Sequence, residues 1–134
     1  MAILAIDWGT KHIGLAISYS GILAEELTVL KNDTRVLEEL GGIINDHEVD
    51  MVVIGLPTNH DSSLATIAPK VQQFARALGV FSGVPIAFED EHLTSKAAIE
   101  ALKDEVDQTH PRIDSFAAKL ILEQFLTHRG AHRG

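Results

Sequence analysis

Apolar residues near the start of the chain form two short runs separated by a polar turn. The run over residues 3–6 is too short and too rich in β-branched side chains for a helix, whereas Gly9 permits a sharp reversal of the chain. The pattern therefore predicts two strands joined by a tight turn. Gly14, inside the second run, indicates a point at which another part of the molecule approaches the strand backbone closely.

Further along the chain, apolar residues recur with helical and extended spacing in turn. Helical spacing predicts helices over residues 34–46, 64–78 and 113–126, and a shorter helix that is capped by Thr94 or Ser95 and ends near Leu102. Short apolar runs predict strands over residues 22–30, 49–56 and 86–88. Asp33 is the predicted N-cap of the first helix and Gly79 the predicted C-cap of the second. The order β-β-β-α-β-α-β-α-α predicts an α/β fold with a mixed five-stranded sheet flanked by helices.

Composition narrows the class of protein. A chain of 134 residues with 46% hydrophobic content is expected to form one domain over residues 1–134, with a frayed tail over residues 128–134. The sequence has no apolar run of roughly 18 residues and no signal sequence, so we expect a cytoplasmic protein with no membrane partner. The absence of cysteine excludes disulfides, thiolate metal sites and cysteine nucleophiles. Oxygen and imidazole remain as metal ligands, which favours hard cations.

The formal net charge of −8 argues against a protein that binds nucleic acid through bulk electrostatics. It still permits a local basic patch. Basic side chains gather at Lys11 and His12 in the first turn and at Lys103, His110 and Arg112 before the last helix.

Asp7 ends the first apolar run. An ionised carboxylate that is buried without a partner costs several kcal/mol, so an acid at the end of a core strand usually meets a cation, a cluster of donors or water. Asp7 is therefore the first candidate site residue. The alternative is a turn aspartate that accepts hydrogen bonds from the backbone of Gly9 or Thr10, and this segment alone leaves both interpretations open.

Three consecutive acids, Glu89, Asp90 and Glu91, follow the predicted strand over residues 86–88. The C-terminal ends of strands are where α/β sheets characteristically hold their ligands. Like charges this close repel each other unless water solvates them or a cation neutralises them. The alternative is that the three acids lie at an exposed strand end before a helix, where negative charge interacts favourably with the helix dipole.

Asp114 lies in the first turn of the last predicted helix. Its column on that helix is apolar, with Ala118, Ile121, Leu122 and Phe125, whereas the polar residues Arg112, Ser115, Lys119 and Glu123 define another face. The carboxylate therefore heads a stripe that packs on the sheet. The alternative is that Asp114 has no role in a site and only places a negative charge near the positive end of the helix dipole.

Acids from three separate elements are thus expected to converge over one edge of the sheet. Carboxylate oxygens suit Mg²⁺ or Mn²⁺, and two such ions can activate a water and stabilise the leaving oxygen of a phosphodiester. The seven histidines are scattered and include no His-x-x-x-His pair, so a zinc site is not expected.

Four ordered blocks of residues resemble the motifs of one family. They are Asp7-x-Gly9-Thr10-Lys11-x-Ile13-Gly14-Leu15-Ala16, Gly55-Leu56-Pro57, Asp90-Glu91-x-Leu93-Thr94-Ser95 and Ile113-Asp114-x-x-Ala117-Ala118 with Ile121-Leu122. Together they resemble the YqgF family, also called RuvX, over essentially the whole chain. Four blocks with matching spacing are more specific than the first alone, since Asp-x-Gly-Thr occurs in many sugar-kinase and actin-like ATPases.

The resemblance implies a ribonuclease H-like fold and a nuclease. The family was first described as a Holliday junction resolvase and is implicated in trimming the 5′ end of precursor 16S rRNA. By that resemblance Asp7, Glu91 and Asp114 are the expected catalytic carboxylates. The same three acids, with Asp90 as a further candidate, are the expected ligands of Mg²⁺ or Mn²⁺.

The chain departs from the family pattern at two basic positions. His12 and His92 stand where the family has arginine, and the loop before Asp114 offers few basic residues besides Arg112. Arginine binds phosphate bidentately at all pH values, whereas histidine does so only when protonated. We expect Lys11, His12, His92 and Arg112 to contact the nucleic-acid backbone, with weaker and more pH-dependent binding.

These features together predict a metal-dependent nuclease of structured nucleic acid, with an RNA precursor favoured over branched DNA as substrate and two bound metal ions. The ribosome is a further candidate partner, and we expect a monomer or a weak homodimer. One alternative is an actin-like ATPase whose turn at Gly9 and Thr10 binds phosphate, although such enzymes enclose nucleotide between two domains. The other is a ribosome-associated binding module without catalytic activity.

Overall fold

The computed structural model describes residues 2–57, 67–91, 94–107 and 110–133, and among these it describes the side chains of all but residues 91, 94–96 and 130–133. The elements are β1 (Ala2–Trp8), β2 (His12–Ser18), β3 (Glu25–Lys31), α1 (Val36–Asp46), β4 (Val49–Pro57), α2 (Ile67–Ser82), β5 (Ile86–Glu91), α3 (Thr94–Leu102) and α4 (Arg112–Arg133). Their succession confirms the predicted order of strands and helices.

The five strands form one mixed sheet in the order β3-β2-β1-β4-β5. β1 pairs antiparallel with β2, and β2 pairs antiparallel with β3, whereas β1, β4 and β5 run parallel. The C-terminal ends of the three parallel strands therefore meet the beginning of β2 at one edge of the sheet. This edge carries Asp7 and the acids of β5.

Side chains of successive strand residues lie on opposite faces of the sheet, and each face is covered by helices. On one face Leu4, Ile6 and Ile54 pack with Leu40 of α1 and Leu78 of α2. On the other face the strands contribute Ile3, Ala5, Ala16 and Val53, and α4 contributes Ala118, Ile121 and Leu122. α3 packs on α4 away from the sheet, through Ala98, Leu102, Ile113 and Ala117. α4 therefore buries the apolar residues that were predicted to share a helix face with Asp114.

Asp33 is not the N-cap of α1, so that prediction was wrong. The N-cap residue is Arg35, which makes no side-chain capping bond. Asp33 Oδ1 instead accepts a hydrogen bond of 2.9 Å from the Arg35 backbone N–H, two residues further on. An aspartate side chain can accept a backbone hydrogen bond in a local turn as readily as at a helix N-cap, and Asp33 forms the turn.

Gly79 is not the C-cap of α2, so this prediction was also wrong. α2 continues to Ser82, and the Gly83 N–H donates to the Gly79 carbonyl at 2.9 Å. Gly83 has a φ of +75°, the left-handed conformation that ends helices and that glycine adopts at least cost. The predicted start of this helix at Leu64 lies outside the described residues.

Three other boundaries differ by three residues or more from those predicted. β3 begins at Glu25 rather than Ile22, and β5 extends to Glu91 instead of ending at Phe88. α4 continues to Arg133, past the predicted end at Leu126, so the structure includes residues 128–133 in the helix, while the fraying of this tail in solution stays a prediction. None of the described helices is both long enough and apolar enough to cross a membrane.

Candidate active site

Asp7 lies at the end of β1 directly opposite Gly14 of β2. Its side chain is buried, with 7% of the residue exposed. Residues directly opposite each other in an antiparallel pair project from the same face of the sheet. Asp7 alternates with Ile3 and Ala5, which pack against α4. Asp7 therefore belongs to the α4 face, at the edge where the parallel strands end.

Gly14 brings the first turn of α4 onto this position. A Cβ atom at Gly14 would overlap the carbonyl group of Asp114 and would lie 2.7 Å from the backbone nitrogen of Ser115. Only glycine leaves enough space for the helix to rest directly on β2. The close approach predicted at Gly14 is confirmed, and it places Asp114 next to the strand pair that carries Asp7.

Asp114 is half-buried, and desolvation raises its pKa above the ordinary carboxyl value. The charge of His12 acts in the opposite direction and lowers this pKa in part. His12 therefore lies close enough to Asp114 for the two side chains to interact electrostatically. A bound cation would act as His12 does, because any positive charge nearby favours the ionised carboxylate.

The extension of β5 places its three acids within the sheet. Glu89 is in register with Gly55, Asp90 with Leu56 and Glu91 with Pro57. Alternation assigns the positions of Glu89 and Glu91 to one face and that of Asp90 to the other. Because Glu89 contacts α4, that shared face is also the face of Asp7. Asp90 is exposed, and the sheet does not bring it onto this face.

Glu89 is tied to α4 rather than directed into solvent. Only 6% of the residue is exposed. Its Oε2 atom accepts a hydrogen bond from Gln124 Nε2 at 2.7 Å and lies 2.8 Å from His128 Nδ1, an ion-pair distance. Gln124 Nε2 also donates to the backbone carbonyl of Asp90 at 2.9 Å. The strand end that leads to Glu91 is thus bonded to the last helix.

The site's chemistry fits an oxygen-coordinated cation. Among the side chains that the structure describes, no three acidic or imidazole groups lie close enough together to hold a metal ion. Asp7 and Asp114 are described, whereas the side chain of Glu91 lies outside this set. Two carboxylates in a partly dehydrated edge, one with a raised pKa, are donors of the kind that Mg²⁺ and Mn²⁺ prefer.

The predicted basic contacts are divided between two places. Lys11 is exposed in the β1–β2 turn, and His12 begins β2 at the same edge as Asp7. Arg112 is exposed at the start of α4, where it pairs with Glu26 at 3.3 Å and with Glu105 at 2.7 Å. Hydrogen bonds to these two acids raise the pKa of Arg112. His92 lies outside the described residues.

A family model described as "RuvX: Holliday junction resolvase" matches residues 1–128 of this chain. The chain belongs to the RuvX family. Its relatives include two proteins that carry the provisional name pre-16S rRNA nuclease. The one from Thermoanaerobacter pseudethanolicus is 37% identical over 133 residues, which cover 94% of this chain and 96% of the relative. The one from Picosynechococcus sp. is 37% identical over 135 residues, which cover 96% and 94%.

Solved structures with the same fold include two resolvases. The RuvC of T. thermophilus, determined in complex with a Holliday junction substrate, has a TM-score of 0.63 and 16% identity, with 97% of this chain and 96% of RuvC covered. The fowlpox virus Holliday junction resolvase has a TM-score of 0.55 and 13% identity, with 98% and 99% covered. These likenesses confirm the predicted ribonuclease H-like fold of this RuvX-family chain.

Sequence reasoning missed two polar residues of the site in this RuvX-family chain. Gln124 and His128 were not among the candidates, yet Gln124 donates a hydrogen bond to the buried Glu89 and His128 lies at ion-pair distance from it. They are four residues apart and so share one helix face. These two polar side chains lie beside the apolar stripe that ends with Phe125. Their spacing could have predicted a polar contact between α4 and the sheet.

Proposed function

We propose that this RuvX-family chain is a nuclease that uses divalent metal ions to hydrolyse phosphodiester bonds in precursor 16S rRNA. The observation that carries the proposal is the contact between Gly14 and the Asp114 backbone. Through that contact the acid of α4 lies beside the strand pair that carries the buried Asp7. The position of Glu91 at the end of β5 adds a third acid to the same edge.

The three acids have distinct roles in this proposal. Asp7 would be common to two ions, and Glu91 and Asp114 would each hold one of them. Mg²⁺ or Mn²⁺, when bound, lowers the pKa of a coordinated water and neutralises charge on the leaving oxygen. The burial of Asp7 and Asp114 supports this assignment, because partly dehydrated carboxylates gain more from a cation than solvated ones do.

Basic side chains around the acids contact the substrate backbone. Lys11 is exposed at the turn that follows Asp7, and His12 lies near Asp114, so both flank the proposed cleavage position. His92 and Arg112 are further proposed contacts. For Arg112 to bind phosphate, the phosphate would have to replace Glu26 or Glu105 as its partner. With a net charge of −8, such local contacts provide the main electrostatic attraction.

RNA is the favoured substrate because relatives that match nearly the whole chain carry the name pre-16S rRNA nuclease. A four-way DNA junction is the second candidate. The description of the family model and the fold shared with RuvC, which was solved on a Holliday junction, favour that alternative. Association with the ribosome and a monomeric or weakly dimeric state belong to the proposal as well.

The test is cleavage of labelled precursor 16S rRNA and of a labelled four-way DNA junction, each with Mn²⁺, Mg²⁺ or EDTA. The expected result is specific cleavage of the RNA with either metal and none with EDTA or with Asp7→Asn. Cleavage of the junction alone would replace the RNA assignment with the resolvase assignment. If the wild-type protein binds RNA but cleaves neither substrate with either metal, the nuclease proposal is wrong and the binding-module interpretation takes its place.

A further inference from the structure

One side chain of α4 bonds the end of β5 at two points. Gln124 Nε2 donates to the Glu89 carboxylate at 2.7 Å and to the Asp90 carbonyl at 2.9 Å. A glutamine amide nitrogen carries two hydrogens, so both bonds can form at once. The first bond pairs a buried charge, and the second holds the backbone immediately before Glu91.

The two bonds from Gln124 matter for the position of β5 because β5 lies at the edge of the sheet. β5 is an edge strand whose neighbour in the described sheet is β4, so its backbone is held by strand pairing from one side. Gln124 provides an anchor from the helix layer at the residue where the strand carries its acids. Without it, the end of β5 would keep its pairing with β4 and the contact of His128 with Glu89, but the Asp90 backbone would lose its bond to α4.

The same helix positions both sides of the site. Asp114 lies in the first turn of α4, where the backbone rests on Gly14. Gln124 follows ten residues later, about 15 Å along the helix axis. A rigid helix that packs on β2 at one point and bonds β5 at the other sets the separation between Asp114 and the strand end that carries Glu91.

From this arrangement we infer that Gln124 is a positioning residue for the metal site, acting through the Asp90 carbonyl on the placement of Glu91. The inference rests on the proposed function. In this role Gln124 acts through the strand backbone and is not itself a metal ligand. Residues that orient metal ligands typically contribute about ten- to a hundredfold to metal affinity when they are intact.

The first variant is Gln124→Met, which keeps the length of the side chain and removes both donors. Isothermal titration calorimetry with Mn²⁺ gives the affinity without any need for activity. The expected result is an Mn²⁺ affinity roughly tenfold weaker than that of the wild type. The Mn²⁺ concentration for half-maximal cleavage should rise by a similar factor, while kcat at saturating Mn²⁺ changes much less.

A matched control separates positioning from general loss of stability. Ile44 is buried in α1 on the opposite face of the sheet from α4, so Ile44→Val lowers the melting temperature without touching the site. Its Mn²⁺ affinity should equal that of the wild type. Gln124→Asn is a second test variant, since it keeps the amide but is too short to reach both acceptors. An Mn²⁺ affinity within about twofold of wild type in Gln124→Met or Gln124→Asn would overturn the inference.

An exchange of side chains tests which of the two bonds matters. The double variant Gln124→Glu with Glu89→Gln keeps the net charge and restores an amide-to-carboxylate bond between the two positions in the reverse direction. The carboxylate at position 124 has no hydrogen to donate to the Asp90 carbonyl. The exchange restores one of the two bonds, so it is expected to recover part of the melting temperature that Gln124→Met loses and to leave Mn²⁺ affinity weak. Recovery of both would overturn the role of the Asp90 carbonyl.

Failure of this inference is distinguishable from failure of the proposed function. If wild type binds Mn²⁺, Asp7→Asn does not, and Gln124→Met binds as wild type does, the positioning role is wrong and the metal site stands. If wild type and Asp7→Asn bind Mn²⁺ equally, the metal site itself is wrong, and the inference falls with it.

Discussion

Gly14 and Asp114 are in direct contact, with the backbone of Asp114 in the space that a Cβ atom at position 14 would occupy. These residues are far apart in the chain, and each has a partner of its own. Gly14 pairs with Asp7 across two strands, and Asp114 begins the helix that covers them. The missing Cβ atom at position 14 therefore determines how closely the start of α4 approaches the strand pair that carries Asp7.

Gly14→Ala is expected to displace the start of α4 and to abolish cleavage. Overlap with backbone is not relieved by a side-chain rotation, so the free energy of unfolding should fall by about 2 kcal/mol or more. Urea denaturation and a cleavage assay measure the two effects. Gly42→Ala is the control, because nothing lies within 4 Å of a Cβ atom there and the residue is within α1. That change should stabilise the protein by about 0.5–1 kcal/mol and leave cleavage intact, and equal effects of the two variants would contradict the prediction.

Asp7→Asn is expected to abolish metal-dependent cleavage while the fold persists. Loss of one ligand in a site for phosphoryl transfer costs on the order of 3 kcal/mol in transition-state stabilisation, roughly a hundredfold in rate. Reduced repulsion among the acids should leave the melting temperature of the metal-free protein equal or higher. Fluorescence of Trp8, the only tryptophan of the chain, reports the fold beside the substitution. Full residual activity would remove Asp7 from the mechanism.

Asp114→Asn is expected to stabilise the metal-free protein at neutral pH. Desolvation raises the pKa of Asp114 in the folded state, so the folded protein binds the proton more tightly than the unfolded chain does. The resulting stabilisation is fully present below the unfolded pKa and is lost as pH rises through the folded pKa. Asparagine carries no charge, so its advantage over aspartate should grow as pH rises through that window.

The measurement for Asp114 is the difference in melting temperature between wild type and Asp114→Asn across the acidic to neutral range without divalent metal. Taking the difference cancels the titration of the other acids. Mn²⁺ should then raise the melting temperature of the wild type more than that of the variant. A difference that stays constant with pH would show that burial does not oppose ionisation of Asp114.

The double change His12→Arg with His92→Arg is expected to tighten binding of nucleic acid and to flatten its pH dependence. Wild-type binding should strengthen from about pH 8 to about pH 6, because protonation gives imidazole a positive charge beside the phosphate. Guanidinium stays charged throughout this range. Affinity is measured in the Asp7→Asn background without divalent metal, so that the metal contributes nothing. If the affinity neither rises from about pH 8 to about pH 6 nor responds to the arginine pair, the two histidines do not contact phosphate.

The sequence by itself determined the element order and the first strand pair. Alternation and short apolar runs depend on neighbouring residues, so strands and helices can be predicted from local patterns. The same holds for the close approach at Gly14, since a glycine inside a strand indicates missing side-chain volume whatever fills it. Helix ends were predicted less well. Asp33 and Gly79 each carried a valid capping signal, but Asp33 formed a local turn instead and Gly83 ended α2 in place of Gly79.

Only the tertiary structure decided which residues meet across long separations. The bonds from Gln124 to Glu89 and Asp90 depend on the sheet register and on how α4 crosses the sheet, and the pairing of Arg112 with Glu26 depends on the same packing. The residues next to Gln124, Glu89 and Arg112 in the sequence encode neither the sheet register nor the way α4 crosses the sheet. The sequence identifies side chains able to pair, but the choice among possible partners follows from burial, because a buried carboxylate such as Glu89 must find donors wherever the packed helices supply them.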